Sequence, residues 1–275
     1  MTAENVQQQF VISLDGTKIT YRTEGSGPAR LVIPRALSLA SNFERFSQEL
    51  GVHHTVHTVE RRGRGESGAQ GDDYNIEKEC QDILAIYVAT GAKFVFGHSY
   101  GGFIALETAR RHPSIQKIAL YEPGMSIDGS IDLTWREIVE KQISENRKLE
   151  AFVSFIKASN PETTGKAPSW LLKFILWLTM KTDDLKQYQQ LLPTTIPEHA
   201  ELARLNNTYS TYGEILAKVL LLTGNPSAAN TQRLLKKFLP VLRNATSQEF
   251  PKLDHFGPLE VPNRWRKWFL TSSVI

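Results

Sequence analysis

The fold is decided by residues 93–102, KFVFGHSYGG, where a short apolar run meets a helical pattern through a glycine-rich turn. A serine at the tip of such a strand-to-helix turn has a crowded backbone, so small residues are required two positions before and after it. Gly97 and Gly101 meet that requirement. The turn therefore predicts that Ser99 is an exposed nucleophile beside a helix N-terminus, and that the Tyr100 N–H is an oxyanion donor.

The flanking sequence predicts an α/β fold, because short β-type runs alternate with longer helical patterns. Asp15 and Gly16 separate the first two runs and are a hairpin signal, so the sheet is expected to start antiparallel. Most later runs are almost continuously apolar, as in parallel strands that are covered on both faces. The predicted strands are residues 10–13, 18–22, 31–33, 55–59, 93–96, 117–121, 218–223 and 246–250, and the first helices are 42–50, 76–90 and 102–111.

The strand rhythm stops between about residues 123 and 213. Prolines such as Pro193 and Pro197 interrupt this region, and its predicted helices are 135–148, 149–158, 170–180 and 198–206. Further helices are expected at 232–238 and 262–270. We therefore predict a core domain in two segments, 1–123 and 214–275, and a helical cap formed by 124–213 between the sixth and seventh strands.

The composition excludes several classes of protein. The 32 Lys and Arg residues nearly balance the 29 Asp and Glu, and the net charge of +3 is too small to favour nucleic acid or an anionic membrane. The single cysteine, Cys80, excludes internal disulfides and a cysteine-based zinc site. The N-terminus lacks the pattern of a secretory signal, and the most apolar window, 170–180, is shorter than the ~20 residues that span a bilayer. We expect a cytoplasmic monomer or homodimer that acts on a small-molecule substrate.

One histidine is placed for catalysis. His255 lies between the last predicted strand and the last predicted helix, where a loop can reach the carboxyl ends of the strands. A general base near neutral pH needs an imidazole, which titrates in that range without large perturbation. The histidines that lack this placement are His98, His112 and His199. A second group is expected at a strand edge rather than in a metal site, and it consists of His53, His54 and His57.

Three stretches of the chain resemble the α/β-hydrolase superfamily. They are the turn around Ser99, residues 60–67 (ERRGRGES), which resemble the turn after the family's fourth strand, and residues 254–258 (DHFGP), which resemble its histidine loop. The resemblance implies a mostly parallel eight-stranded sheet with helices on both faces, a helical cap, and a triad in the chain order serine, acid, histidine. It also implies a serine branch of the superfamily, because the haloalkane dehalogenases and epoxide hydrolases have aspartate as their nucleophile.

The acid departs from the usual pattern of that superfamily. It ordinarily follows the strand after the cap, here the turn 223–227, but no Asp or Glu occurs between Glu214 and Glu249. The superfamily's alternative position is the end of the sixth strand. Glu122 stands there, 23 residues after Ser99.

Glu122 is therefore predicted to accept the second ring N–H of His255 and to hold its tautomer. Two alternatives remain open. One is Asp254, the neighbour of the histidine, and the other is a Glu122 that only caps a turn while Asn225 or no residue orients His255.

The first oxyanion donor is also atypical. Pro34 and Arg35 stand where the resemblance leads one to expect His-Gly. Proline has no N–H, so the donor is expected at Ala36, with Leu37 as the alternative. Arg35 is a candidate for binding an acidic or carbonyl-bearing substrate, and a solvated or salt-bridged arginine is the competing interpretation. Leu37 is also a candidate substrate-binding residue. For Arg61, Arg62 and Arg64 we expect pairing with Glu60, Glu66 or solvent rather than with phosphate.

Together these residues predict a serine hydrolase that cleaves a small or medium, largely apolar ester, thioester or lactone through an acyl-enzyme. No cofactor or metal is required by this chemistry. The aromatic residues expected either to line the pocket or to pack the cap are Trp135, Trp170, Phe174 and Trp177. Alternatives with the same triad are perhydrolase and C–C bond hydrolase chemistry, and a different class is a non-catalytic ligand-binding protein on the same scaffold.

Overall fold

The computed structural model describes residues 6–159, 163–225 and 229–260. The strands within these residues are β1 (Gln7–Ile12), β2 (Lys18–Gly25), β3 (Ala29–Ile33), β4 (Thr55–Val59), β5 (Phe94–His98), β6 (Lys117–Tyr121), β7 (Lys218–Thr223) and β8 (Ala245–Glu249). They form one sheet in the order β1-β2-β4-β3-β5-β6-β7-β8. The β1–β2 and β2–β4 pairs are antiparallel and the remaining pairs are parallel. This sheet confirms the predicted α/β class and the mostly parallel, eight-stranded arrangement.

The antiparallel start of the sheet is the hairpin predicted from Asp15 and Gly16. Gly16 has φ of +84°, the left-handed region that glycine enters without steric cost. The Ser13 N–H donates to the Thr17 carbonyl at 2.8 Å, and the Thr17 N–H donates to Asp15 Oδ1 at 3.0 Å. The two hydrogen bonds close the turn and set the register of β1 on β2.

Helices cover the sheet on both faces, as predicted. In β5, Val95 faces a core shared with two helices, whereas Phe94 and Phe96 face a second core on the opposite side, since successive strand residues alternate. The helices of the described residues are α1 (Glu44–Gly51), α2 (Ile76–Thr90), α3 (Tyr100–Arg111), α4 (Arg136–Ser144), α5 (Lys148–Ser159), α6 (Ser169–Thr179), α7 (Thr182–Arg204), α8 (Ala229–Arg233) and α9 (Gly257–Glu260). α2 and α3 pack on the Val95 side and α1 on the other.

Helices α4 to α7 lie between β6 and β7, in residues 123–217, which we call the helical segment. Its described residues contain no strand. Trp135, Phe152 and Leu192 belong to an apolar cluster of these helices, and Leu37 from the loop after β3 packs in the same cluster. The loop after β3 and the helical segment are therefore in direct contact. The division into a core and a cap formed by 124–213 stays a prediction.

The helix α7 is longer than predicted. The sequence placed a helix only at 198–206, because a proline lacks the N–H that an interior helical position donates. α7 nevertheless continues through Pro193 and Pro197. The N–H that Pro197 lacks would have bonded to the Pro193 carbonyl, and the tertiary packing of residues such as Leu192, which is fully buried, outweighs this loss.

Near the chain's end, the prediction is met only in part. The helix expected at 232–238 corresponds to α8 and a π-helical turn, Leu234–Phe238. The helix expected at 262–270 lies outside the described residues, as do Pro226 and Ser227 of the predicted 223–227 turn.

A buried ion network joins the turn after β4 to the helical segment. Arg61 Nη2 lies 2.6 Å from Glu79 Oε1 and 2.7 Å from Glu198 Oε1, and Arg64 Nη2 lies 2.5 Å from the same Glu198 oxygen. All four side chains are fully buried, and Glu198 belongs to α7. A buried carboxylate between two guanidiniums fixes this part of α7 on the turn after β4.

Arg62 is paired in the same way, at 2.7 Å from Asp82 and 3.0 Å from Asp15. The prediction that these arginines pair with Glu60, Glu66 or solvent is therefore wrong. Their partners come from distant parts of the sequence, and nothing in the local charge pattern marks them.

Candidate active site

Ser99 occupies the strained turn that its sequence context predicts. It links β5 to α3 with φ of +53°, a conformation that non-glycine residues rarely adopt. A Cβ at Gly97 would lie 2.4 Å from the Gly101 carbonyl, and one at Gly101 would lie 2.2 Å from the Ile33 carbonyl. Both glycines are therefore required for the backbone to pass.

The main chain of Ser99 is fixed on both sides, while its side chain is half-buried. The Ser99 N–H donates to the Tyr121 carbonyl at 2.9 Å, and the Ser99 carbonyl accepts from the Gly124 N–H at 2.9 Å. Within the described chain, the structure shows no hydrogen bond from the Ser99 hydroxyl to His255. In unliganded enzymes this contact is often long and shortens when substrate binds.

Glu122 and His255 are brought together, although 133 residues separate them. His255 Nδ1 lies 2.7 Å from Glu122 Oε2, and the Gly224 N–H donates to Glu122 Oε1 at 2.9 Å. Burial of the carboxyl raises the pKa of Glu122, but these two hydrogen bonds and the charge of His255 outweigh it and hold that pKa below its ordinary value. An ionised Glu122 at this distance can accept an Nδ1–H of His255, an arrangement that would leave Nε2 free to accept a proton.

Asp254 points its carboxylate elsewhere. Its Oδ1 accepts the Phe256 N–H at 2.7 Å, and the residue is exposed. This local turn explains why a neighbour in sequence is not the partner of the imidazole. The turn after β7, where the family's acid usually stands, instead contributes the Gly224 N–H to Glu122.

Two residues that the sequence did not select hold the histidine loop. His98 Nε2 donates to the His255 carbonyl at 2.7 Å, and the Tyr121 hydroxyl donates to the Asp254 carbonyl at 2.5 Å. Complete burial, with the nearby charges of His255 and Arg35, holds the pKa of His98 well below its ordinary value, so its ring is neutral. The only available signal was position, since each residue directly precedes Ser99 or Glu122 in the chain.

The predicted oxyanion donors lie at the same edge of the sheet. Tyr100 is the first residue of α3, and Ala36 belongs to the loop that follows β3, the strand next to β5. Neither N–H donates a hydrogen bond to any residue that the structure describes. Leu37, the alternative donor, has φ of +55° and is buried.

Arg35 is buried beside this site. Its Nη1 donates to the Ala36 carbonyl at 3.1 Å and its Nη2 to the Tyr188 hydroxyl at 3.1 Å. The guanidinium carbon lies 4.8 Å from the ring centre of Phe256, the residue after His255. Burial lowers the pKa of the guanidinium, yet arginine keeps its charge at neutral pH.

The four aromatic residues predicted for the helical segment separate into two groups. Trp135 is buried, with its ring against Phe155 and His199 at 5.1 and 5.4 Å between ring centres. By contrast, the side chains of α6 point largely to solvent, with exposures of 69% for Trp170, 50% for Phe174 and 74% for Trp177. Their placement gives no support to a role in lining a buried pocket.

The described residues hold no group of three His, Cys, Asp or Glu side chains that could bind a metal ion. His57 Nδ1 lies 2.9 Å from the Thr23 hydroxyl on β2, and His54 Nδ1 lies 3.2 Å from the Leu50 carbonyl. Among the helices described, none combines the length and apolarity needed to cross a bilayer.

A family model described as the alpha/beta hydrolase family matches residues 33–267. The chain belongs to the alpha/beta hydrolase family. A solved alpha/beta hydrolase from Sphaerobacter thermophilus is similar along 95% of this chain and 100% of its own, with 26% identity and a TM-score of 0.78. An esterase structure from Rhodococcus, at 19% identity, covers 96% of this chain and 97% of its own with a TM-score of 0.70, which shows the shared fold.

Two curated relatives of this alpha/beta hydrolase match it over shorter stretches. An uncharacterized hydrolase of Bacillus subtilis, YraK, is 31% identical over 106 residues, which are 37% of this chain and 39% of that protein. N-formylmaleamate deformylase of Pseudomonas putida is 30% identical over 123 residues, 43% of this chain and 46% of that protein. The chain thus spans less than half the length of each of these relatives.

Proposed function

We propose that the protein is a serine hydrolase that cleaves a small or medium ester, thioester or lactone. The observation that carries the proposal is the 2.7 Å contact between His255 Nδ1 and Glu122 Oε2, on a loop that hydrogen-bonds to His98, the residue before Ser99. A carboxylate-bound imidazole and a serine at φ of +53° in a strand-to-helix turn suit general-base activation of the hydroxyl. The family assignment and the solved hydrolases of the same fold support it.

In the proposed reaction, Ser99 Oγ attacks the substrate carbonyl carbon while His255 Nε2 takes the hydroxyl proton. The tetrahedral oxyanion accepts hydrogen bonds from the N–H groups of Tyr100 and Ala36. The bond to the leaving alcohol or thiol then breaks, and His255 returns the proton to it. A water, deprotonated by the same imidazole, attacks the acyl-enzyme, releases the acid and restores Ser99.

We also propose that the helical segment is a cap over this site. Two contacts join it to the loop after β3, namely Leu37 in the apolar cluster of the helices and Arg35 Nη2 on the Tyr188 hydroxyl. A cap attached to the loop that bears the Ala36 donor would shape the space above Ser99.

Labelling by a fluorophosphonate probe tests the nucleophile. The folded wild type is expected to gain one adduct at Ser99, found by peptide mass spectrometry, and to lose hydrolysis of p-nitrophenyl esters in proportion. Ser99→Ala is the control, and it should neither react with the probe nor hydrolyse the esters. A wild type that has a cooperative thermal transition but remains unlabelled at Ser99 contradicts the proposal.

A further inference from the structure

Arg35 is a buried cation with no carboxylate beside it. The side chain is 8% exposed, and no ion pair joins it to any acidic residue that the structure describes. Its Nη groups each donate one hydrogen bond, to Ala36 and Tyr188, while its Nε–H is buried without a partner. The segments outside the described ranges contain only two acidic side chains, Glu4 and Glu162.

The other buried arginines show how unusual this is. Arg61, Arg62 and Arg64 each lie within 2.7 Å of a buried carboxylate oxygen. Removing a guanidinium from water without a counter-charge is strongly unfavourable, so an arginine kept in that state suggests that its anion arrives from outside.

The position of Arg35 decides where such an anion would bind. The residue directly precedes Ala36, the proposed oxyanion donor, and its guanidinium packs on Phe256, directly after His255. The charge of Arg35 also helps to lower the pKa of His98, the neighbour of Ser99. An anion on Arg35 would therefore lie in the same site as the carbonyl that Ser99 attacks.

We propose that Arg35 binds a carboxylate of the substrate, so that the preferred substrates are esters, thioesters or lactones that carry a free carboxylate. A guanidinium matches a carboxylate with two parallel N–H···O hydrogen bonds, and the unused Nε–H is one of the available donors. This inference rests on the proposed serine hydrolase function, and it deepens that function by naming the substrate class.

The competing interpretation is that Arg35 only supports the loop. Its hydrogen bond to the Ala36 carbonyl would then hold the oxyanion peptide, and every substrate would depend on it equally. The two interpretations differ in substrate preference. A residue that only supports the loop serves charged and uncharged substrates alike, whereas a carboxylate site favours the charged substrate alone.

The test compares two esters with the same leaving group, mono-p-nitrophenyl glutarate and its methyl ester, which differ in one negative charge. For the wild type we expect kcat/KM to be at least tenfold higher for the acid. In Arg35→Met this ratio should fall about tenfold or more, and Arg35→Lys, which keeps the charge without the planar fork, should be intermediate. Arg30→Met is the matched control, because Arg30 also packs on a phenylalanine, Phe94 at 4.5 Å, at the opposite end of β3. It should keep the wild-type ratio.

A binding measurement separates this inference from the proposed function. Calorimetric titration of glutarate into the Ser99→Ala protein should give saturable binding that Arg35→Met weakens at least tenfold. If Arg35→Met does not fold, Arg35→Lys gives the comparison. Equal kcat/KM for the two wild-type esters, or an equal loss on both esters in Arg35→Met, overturns the inference. If Ser99 is not labelled by the fluorophosphonate but glutarate still binds in a manner that depends on Arg35, the serine mechanism is refuted and the carboxylate site is not.

Discussion

His98 Nε2 donates a 2.7 Å hydrogen bond to the carbonyl of His255, so the residue before the proposed nucleophile fixes the loop of the proposed base. The His98 ring is completely buried, and its centre lies 5.0 Å from the centre of the His255 ring. The neutral state of His98 leaves Nε2–H as a permanent donor. We infer that His98 is a positioning residue that sets the distance from Ser99 to the imidazole.

Substitution of His98 should therefore affect kcat through this one donor. His98→Leu removes the N–H and is expected to lower kcat about 10²-fold, because an error of about 1 Å in position is enough for that loss. His98→Gln, whose amide can still donate to the His255 carbonyl, should stay within about tenfold of the wild type. Steady-state kinetics on a p-nitrophenyl ester, with Tm as a check of folding, distinguish the two. Equal kcat in both variants would argue against the positioning role.

Glu122→Gln should lower kcat by about 10⁴-fold, since the amide cannot stabilise the imidazolium and favours the wrong tautomer. Asp254→Asn is the matched control, because Asp254 is the other carboxylate at the loop and bonds to the Phe256 N–H. It should remain within about threefold of the wild type. The assignment of the acid fails if Glu122→Gln loses less than tenfold in kcat.

Stability should fall as the pH rises from about 4.3 to about 7, between the unfolded and the folded pKa of Glu60. Burial raises the pKa of Glu60 to about 7, so between its unfolded value of about 4.3 and that pH the folded protein binds an extra proton. By about pH 7 the loss reaches at most about 4 kcal/mol, and above that pH it levels off. We expect the Tm of Glu60→Gln to exceed that of the wild type by a margin that grows from pH 4.5 to pH 8. Glu66→Gln, at an exposed position in the same turn, is the control. If its Tm also exceeds that of the wild type by a margin that grows with pH, the explanation is contradicted.

Breaking the buried network should be far more damaging than breaking a surface pair. Glu198→Gln leaves Arg61 and Arg64 without their shared carboxylate and is expected to lower the free energy of unfolding by about 3–5 kcal/mol. Glu140→Gln breaks the exposed pair with Arg136 and should cost less than about 0.5 kcal/mol. Urea unfolding followed by circular dichroism measures both. Similar losses in the two variants would show that burial adds nothing to the network.

The strands were predictable because their pattern is local. In β6 and β7 the predicted and observed bounds agree, since a strand covered on both faces is a continuous apolar run between polar residues. The full length of α7 was not predictable, because Pro193 and Pro197 are locally unfavourable in a helix and tertiary packing stabilises it. Hydropathy also failed to show that Trp170 and Trp177 face solvent, since an apolar window does not tell which neighbour covers it.

Within the candidate site, the predicted residues were those with a motif or a defined strand end, and the missed ones act at long range. The prediction of Glu122 rested on its place after the sixth strand, and the contact with His255 agrees with it. The sequence could not reveal three other contacts, namely those of Gly224 with Glu122, of His98 with His255 and of Arg61 with Glu198. Each of these hydrogen bonds joins segments that are 102 or more residues apart, and no local pattern marks such a pair.

The place of Glu122 at the end of β6 has a consequence for how this fold can change. His98 and Tyr121 are register partners on adjacent parallel strands, so the acid and the nucleophile are spaced by a single β-α-β unit completed before the helical segment begins. Insertions, deletions or exchange of residues after Glu122 and before β7 would leave that spacing intact. Of the three proposed catalytic residues, only His255 comes from the chain beyond β7, together with the Gly224 N–H that binds Glu122. A lid grafted between Glu122 and β7 would therefore leave all of these groups on the part of the chain that is kept.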